Sequence, residues 1–174
     1  MSRTPVALRR FGREGLPGIR QTLMDVHAGA YADELDDEAG RHFAGSVDRW
    51  GGYPGFTCVV GYDGEEPVGF AYGAPAPPGC EWWREHLPTP PADASTFAVS
   101  ELMVIPRRRK TGAAAQLHAA LIAGRPEALA VLLVDSEHPK VEALYATWGY
   151  RRIGDRQPFP GAPSFTVMLR QLRV

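Results

Sequence analysis

Four consecutive cations, Arg107, Arg108, Arg109 and Lys110, are followed by Thr111, Gly112, Ala113 and Ala114. Positive charge beside a residue of unrestricted φ and two minimal side chains suits an anion that must approach the backbone closely. If a helix opens here, its first turn adds N–H groups without intrahelical partners at the positive end of the macrodipole. These residues predict a phosphate, and by extent a pyrophosphate, over residues 109 to 114. A solvated basic turn would have the same composition, so local sequence leaves both readings open. Two phosphate loops are excluded, because neither G-x-x-x-x-G-K-[ST] nor G-x-G-x-x-G is present.

Two other side chains could move protons. Glu101 sits in an apolar run, and strand alternation puts it on one face with Val99 and Met103, with Ser100, Leu102 and Val104 on the other. A carboxylate in such surroundings needs a task or a partner. It is either a proton acceptor or a structural glutamate paired with an Arg or with His27. Tyr145 falls with Val141, Leu144 and Trp148 at i, i+3, i+4, i+7, which places it beside a buried stripe. Periodicity alone makes it a core aromatic with a satisfied hydroxyl.

The elements that must position these groups can be read in order. Thr96 to Ile105 is a strand stopped by Pro106, and Ala114, Leu117, His118 and Leu121 mark a helix after Gly112. Upstream, Pro5 to Phe11 reads as a strand. A helix runs from Leu16 to about Ala32 with Ile19, Leu23, Val26 and Ala30 on one face, and a second from Glu38 to Trp50. Thr57–Tyr62 and Pro67–Ala74 flank Asp63-Gly64-Glu65-Glu66, a hairpin signal. A Pro-rich connection, residues 75 to 95, carries Trp82 and Trp83. Ala128–Val134 is a strand buried on both faces, Pro139–Trp148 a short helix, and Tyr150–Ile153 and Phe165–Leu169 are closing strands. The result is one mixed α/β domain over residues 1–174, with seven strands, four helices and no internal repeat.

Composition bounds the function. The 174 residues suit a single domain, and a net charge of −1 gives no global field for nucleic acid or an anionic membrane surface. No apolar run approaches the ~18 residues of a membrane span, and the N-terminus lacks a signal core, so the expectation is a cytoplasmic protein. Cys58 and Cys80 form no disulfide framework and no metal pattern, so no metal is expected.

Leu102, Val104, Pro106, Arg109, Gly112 and Ala114 occupy every anchor of L-x-V-x-P-x-x-[QR]-x-x-G-x-[GA]. This resembles the acetyl-CoA-binding motif of the GNAT N-acetyltransferase superfamily. Leu144, Tyr145, Gly149 and Tyr150 are similar to a second pattern of that family, N-x-x-A-x-x-L-Y-x-x-x-G-[FY], while His138 stands for the usual Asn and Val141 for the usual Ala. The element order is also that of the GNAT fold. The resemblance implies a mixed sheet whose two central parallel strands, here 97–105 and 128–134, splay around acetyl-CoA.

It also implies roles. Backbone groups of Lys110, Thr111, Gly112, Ala113 and Ala114 would hold the pyrophosphate, with Arg109 touching it or shaping the turn. Arg107 and Arg108 would be solvated or reach the 3′-phosphate, and His138 would hydrogen-bond the pantetheine arm. A backbone N–H at Met103 or Val104 would polarise the carbonyl. Tyr145 would protonate the departing thiolate. A free amine is ammonium at neutral pH, so Glu101 would take its proton, through a water.

The acceptor is the least defined partner. Glu34, Asp36, Asp37 and Glu38 would suit a cationic amine, or would be a polar turn. His27, Tyr31, Trp82 and Trp83 are candidate acceptor contacts, and Trp82, Trp83, Tyr53 and Phe56 would form an aromatic wall or pack the loop down. The expected activity is N-acetylation of a small-molecule amine by direct transfer. A protein lysine or N-terminal acetyltransferase and a non-catalytic acyl-CoA-binding module are the alternatives, with a homodimer left open.

Overall fold

The computed structural model describes residues 5–31 and 37–173, with side chains 37–39 outside the description. Among the described residues, seven strands and four helices follow in the order expected. They are β1 (Ala7–Gly12), α1 (Leu16–Ala30), α2 (Asp37–Gly51), β2 (Thr57–Asp63), β3 (Glu66–Pro75), β4 (Thr96–Val104), α3 (Ala113–Ile122), β5 (Leu129–Asp135), α4 (Pro139–Thr147), β6 (Arg151–Arg156) and β7 (Phe165–Gln171). The boundaries differ from the expected ones by a few residues at element ends. The largest shift is at β6, which runs on to Arg156 beyond the expected Ile153.

The chain divides into two compact units, Met1–Ala74 with Glu101–Ala123, and Pro75–Ser100 with Gly124–Val174, so β4 contributes to both. In the first, the strand order is β1-β2-β3-β4. The expected hairpin closes on the Asp63↔Glu66 pair, and β1 runs antiparallel to β2 from Ala7↔Tyr62 to Gly12↔Thr57. Helix α1 buries the stripe Leu16, Ile19, Leu23, Val26 and Ala30. That stripe joins Phe43, Val47, Phe70, Tyr72 and Met103 in one hydrophobic cluster. Each fully buried Leu or Phe there stabilises the unit by about 1.5–3 kcal/mol. Helix α3 buries Ala113, Leu117, His118 and Leu121, and Leu117 lies against Gly61 of β2.

In the second unit the order is β4-β5-β7-β6. β5 pairs parallel with β4 from Thr96↔Leu129 to Val99↔Leu132, and antiparallel with β7 along its whole length, Leu129↔Gln171 to Asp135↔Phe165. The parallel ladder therefore stops at Leu132 while β5 continues to Asp135. Neighbours on both edges and near-complete burial explain the continuous apolar run of β5.

Two expectations need correction. Helix α4 has no buried stripe, since Val141 and Leu144 are 41% and 43% exposed. Only the C-terminal half of the spacing is used, where Tyr145 meets Trp148 and Tyr150. The aromatic wall also dissolves. Phe56 belongs to the core cluster, with Tyr53 packed against it, and Trp83 is fully buried in the 75–95 connection. The Trp83 indole N–H donates to the Thr96 hydroxyl at 2.8 Å, and that hydroxyl donates to the Ala94 carbonyl at 2.8 Å. A buried Trp finds a partner for its N–H, and here the partner pins the loop to the start of β4.

Candidate active site

The turn between β4 and α3 is built around unpaired backbone donors. A short 3-10 turn, Pro106–Arg108, ends β4, and Arg108 N–H and Arg109 N–H donate to the carbonyls of Ile105 and Pro106 at 3.0 and 3.2 Å. The next backbone bond is Gln116 N–H to the Gly112 carbonyl at 3.1 Å. From Lys110 through Ala115, the peptide N–H groups have no backbone carbonyl as acceptor among the described residues. Within this row Lys110 has φ 59° and Gly112 φ 88°, with Thr111 between them not in the left-handed region. Lys110 is the sole non-glycine residue of positive φ among the described residues, a conformation that costs on the order of 1 kcal/mol. Successive amides in such an alternation converge to form a nest for an anion. A Cβ added at Gly112 would meet no atom within 4 Å, so the space before the helix is open. The expected pyrophosphate residues fit the group, and the Ala115 amide extends the row.

The cations of this turn do not all face the nest. Arg107 donates to Asp63 at 3.0 Å and to Glu66 at 2.6 Å, across the β2–β3 hairpin. Arg108 is buried, 8% exposed, with its Nε 4.0 Å from Asp63, which corrects its assignment as a solvated residue. Arg109 sends Nε to the Val104 carbonyl at 3.2 Å and Nη2 to the Ala30 carbonyl at 2.9 Å. Its side chain therefore braces the turn. Charge and position in the sequence carry no signal for where a guanidinium points.

Met103 and Val104 are buried at the end of β4. Glu101, two residues before Met103, retains partial exposure, and its carboxyl is nevertheless pushed up to about 7 by burial. No hydrogen bond or ion pair reaches it among the described residues, so neither an arginine nor His27 holds it as an ion pair there. At neutral pH such a group takes and releases a proton readily. His27, in the last turn of α1, stacks flat on Phe43 with centroids 4.1 Å apart and lies 5.3 Å from the Tyr31 ring. Burial lowers the His27 pKa, because it disfavours the charged imidazolium. Tyr31 is 40% exposed. The Phe43 stack was not anticipated, because it joins two helices. Glu34 and Asp36 lie outside the described residues, as do the side chains of Asp37 and Glu38.

In the second unit, Tyr145 is held by its helix end. Gly149 has φ 91°, its N–H donates to Ala146, and Tyr150 N–H donates to Tyr145, at 3.1 and 3.2 Å. This is a Schellman ending, and it accounts physically for a glycine and an aromatic following the tyrosine at these spacings. The Tyr145 ring meets Trp148 and Tyr150 edge to face at 5.1 and 6.0 Å. His138 is the N-cap of α4, exposed, with its N–H on the Asp135 carbonyl at 2.9 Å and no side-chain capping bond. Trp82 is half-buried and Trp83 has no exposed surface.

Among solved structures, a GNAT-family protein from Desulfovibrio desulfuricans matches with a TM-score of 0.71 at 16% identity, over 97% of this chain and 99% of that one. Aminoglycoside 6′-acetyltransferase type Ii gives 0.67 at 20% identity, over 97% and 98%. The NatC complex bound to Gag peptide and CoA gives 0.65 at 13% identity, over 98% and 100%. At these identities the likeness is one of fold. No curated protein matches the sequence. The model of the acetyltransferase (GNAT) family matches residues 17–150, a span that holds the amide row, Glu101 and Tyr145. This chain belongs to that family.

Proposed function

We propose that this protein is an N-acetyltransferase that moves the acetyl group of acetyl-CoA to the amine of a small molecule by direct transfer. The observation that carries the reading is the row of amides from Lys110 to Ala115, with left-handed Lys110 and Gly112, which suits a diphosphate. Acetyl-CoA, when bound, supplies an activated thioester. The amides of residues 110–115 would hold its diphosphate, and the exposed His138 would hydrogen-bond its pantetheine arm. A backbone N–H at Met103 or Val104 would donate to the acetyl carbonyl oxygen. Glu101, with its carboxyl near 7, takes a proton from the acceptor ammonium through a water, leaving the lone pair free to attack. Tyr145 would give its hydroxyl proton to the sulfur as the C–S bond breaks, and the proton lost from the new amide nitrogen would restore the phenol.

The acceptor is read as a small-molecule amine received at the His27–Tyr31 turn of α1. The Tyr31 and His27 rings, 5.3 Å apart, would supply an aromatic surface for it. The test is release of free thiol from acetyl-CoA, followed spectroscopically, across a panel of polyamines, aminoglycosides, amino-acid amines and N-terminal peptides. Turnover with members of the small-molecule set is expected. Turnover confined to peptides would replace the acceptor class, and coenzyme binding without thiol release would replace the enzyme with a binding module.

A further inference from the structure

Arg109 occupies the motif position nearest the diphosphate seat, yet its guanidinium is spent on the scaffold. Nε reaches the carbonyl of Val104, the last residue of β4, and Nη2 the carbonyl of Ala30, the last residue of α1. The Ala30 carbonyl lies at the negative end of the α1 dipole with no intrahelical donor, where a cation is favoured. A planar fork can serve two carbonyls from separate elements at once, which a lysine ammonium on a flexible stem does poorly. Arg109 itself is extended, φ −66° and ψ 150°, and the next residue is left-handed Lys110, the first amide of the row. The last turn of α1 carries His27, and the C-cap residue Tyr31 closes it, its N–H on the His27 carbonyl at 3.2 Å.

We infer that Arg109 is a positioning residue, not a phosphate ligand, and that it couples the diphosphate seat to the His27–Tyr31 turn of α1. An anion on the amides fixes the backbone at Lys110. Arg109, one bond earlier, carries that constraint to the end of α1, so the coenzyme orders the acceptor-side turn before the acceptor arrives. This inference rests on the acetyl-CoA reading above.

The experiment is hydrogen–deuterium exchange with mass spectrometry, with coenzyme A as the probe, on the wild type and on Arg109→Gln. Calorimetry of coenzyme A binding is run alongside. In the wild type, saturating coenzyme A slows exchange in peptides covering 110–115 and in those covering 26–31. In Arg109→Gln the affinity stays within about threefold and protection of 110–115 persists, while protection of 26–31 is lost. If Arg109→Gln melts too low to measure, Arg109→Lys, which keeps the charge and loses the fork, gives the same comparison. A loss of affinity beyond about tenfold, the size expected for a direct charge-assisted phosphate contact, overturns the inference, as does equal protection of 26–31 in both proteins. Failure of the wild type to bind coenzyme A is seen by calorimetry alone and removes the underlying reading together with this one.

Discussion

The backbone N–H of Tyr150 donates to the carbonyl of Tyr145 at 3.2 Å, and the two rings meet edge to face at 6.0 Å. The residue between helix and strand that allows this is Gly149, at φ 91°. The ring whose hydroxyl is proposed to protonate the thiolate is thus packed at a helix ending, and burial raises the Tyr150 pKa above its ordinary value. Tyr145→Phe removes the proton and keeps the ring. Turnover should fall by about 100-fold, at the low end of acid catalysis, with coenzyme affinity nearly unchanged in calorimetry. Undiminished turnover would remove the acid role from Tyr145.

Gly149→Ala tests the positioning separately from the chemistry. A Cβ there sits 3.5 Å from Arg170, ordinary contact, so the cost is the left-handed backbone alone, about 1–2 kcal/mol. Thermal melting should show that loss, and turnover should drop with it, while Gly149→Asn, which tolerates positive φ better, should recover part of both.

Glu101 gives a pH signature. Its carboxyl sits at about 7 in the folded protein because burial disfavours the charged form. As the proposed base it is protonated below that value, so kcat/KM should rise with pH through about 7 and then level. Glu101→Gln should abolish that rise along with most of the rate. Stability carries the opposite slope. Between the ordinary glutamate range and about 7 the folded state binds more protons than the unfolded, so stability falls as pH rises through that window. Melting temperatures of the wild type and Glu101→Gln should therefore diverge from pH 5 to pH 8, with the glutamine variant gaining. Parallel curves would mean that the carboxyl is not desolvated.

Trp83 anchors the 75–95 connection. Trp83→Ala should cost about 3–5 kcal/mol in chemical denaturation, the range for truncating a large buried aromatic. Trp83→Phe keeps most of the packing and loses the bond to Thr96, which should cost about 1 kcal/mol. A change in amine preference in Trp83→Phe without loss of coenzyme affinity would place the loop in acceptor selection.

The strand–turn–helix from Thr96 to Ile122 was legible because its signals are local: Pro106 cannot continue a ladder, Gly112 can take positive φ, and the apolar period changes beyond it. The hairpin at Asp63–Glu66 and the α1 stripe were legible for the same reason. What sequence misplaced depends on partners distant along the chain. The i, i+3, i+4, i+7 spacing in α4 marks a face, but nothing in it says that Val141 and Leu144 have no surface to pack on. Arg109 shows its charge in the sequence and hides its two carbonyl acceptors, one of them 79 residues away. Trp83 reads equally as a wall or an anchor until its N–H is seen on Thr96. The end of the parallel ladder at Val99↔Leu132 belongs to a pair of strands and to no residue pattern.

The central claim is that the amides of Lys110 to Ala115 hold the coenzyme diphosphate. Titration of ¹⁵N-labelled protein with coenzyme A tests it most directly, with Gly112→Asp as the paired variant. The account predicts that the largest amide shifts fall on residues 110–115, and that the variant, with like charge against the phosphates, loses them together with most of its affinity. Saturable binding that leaves those six amides unmoved, or unchanged affinity in Gly112→Asp, would contradict it.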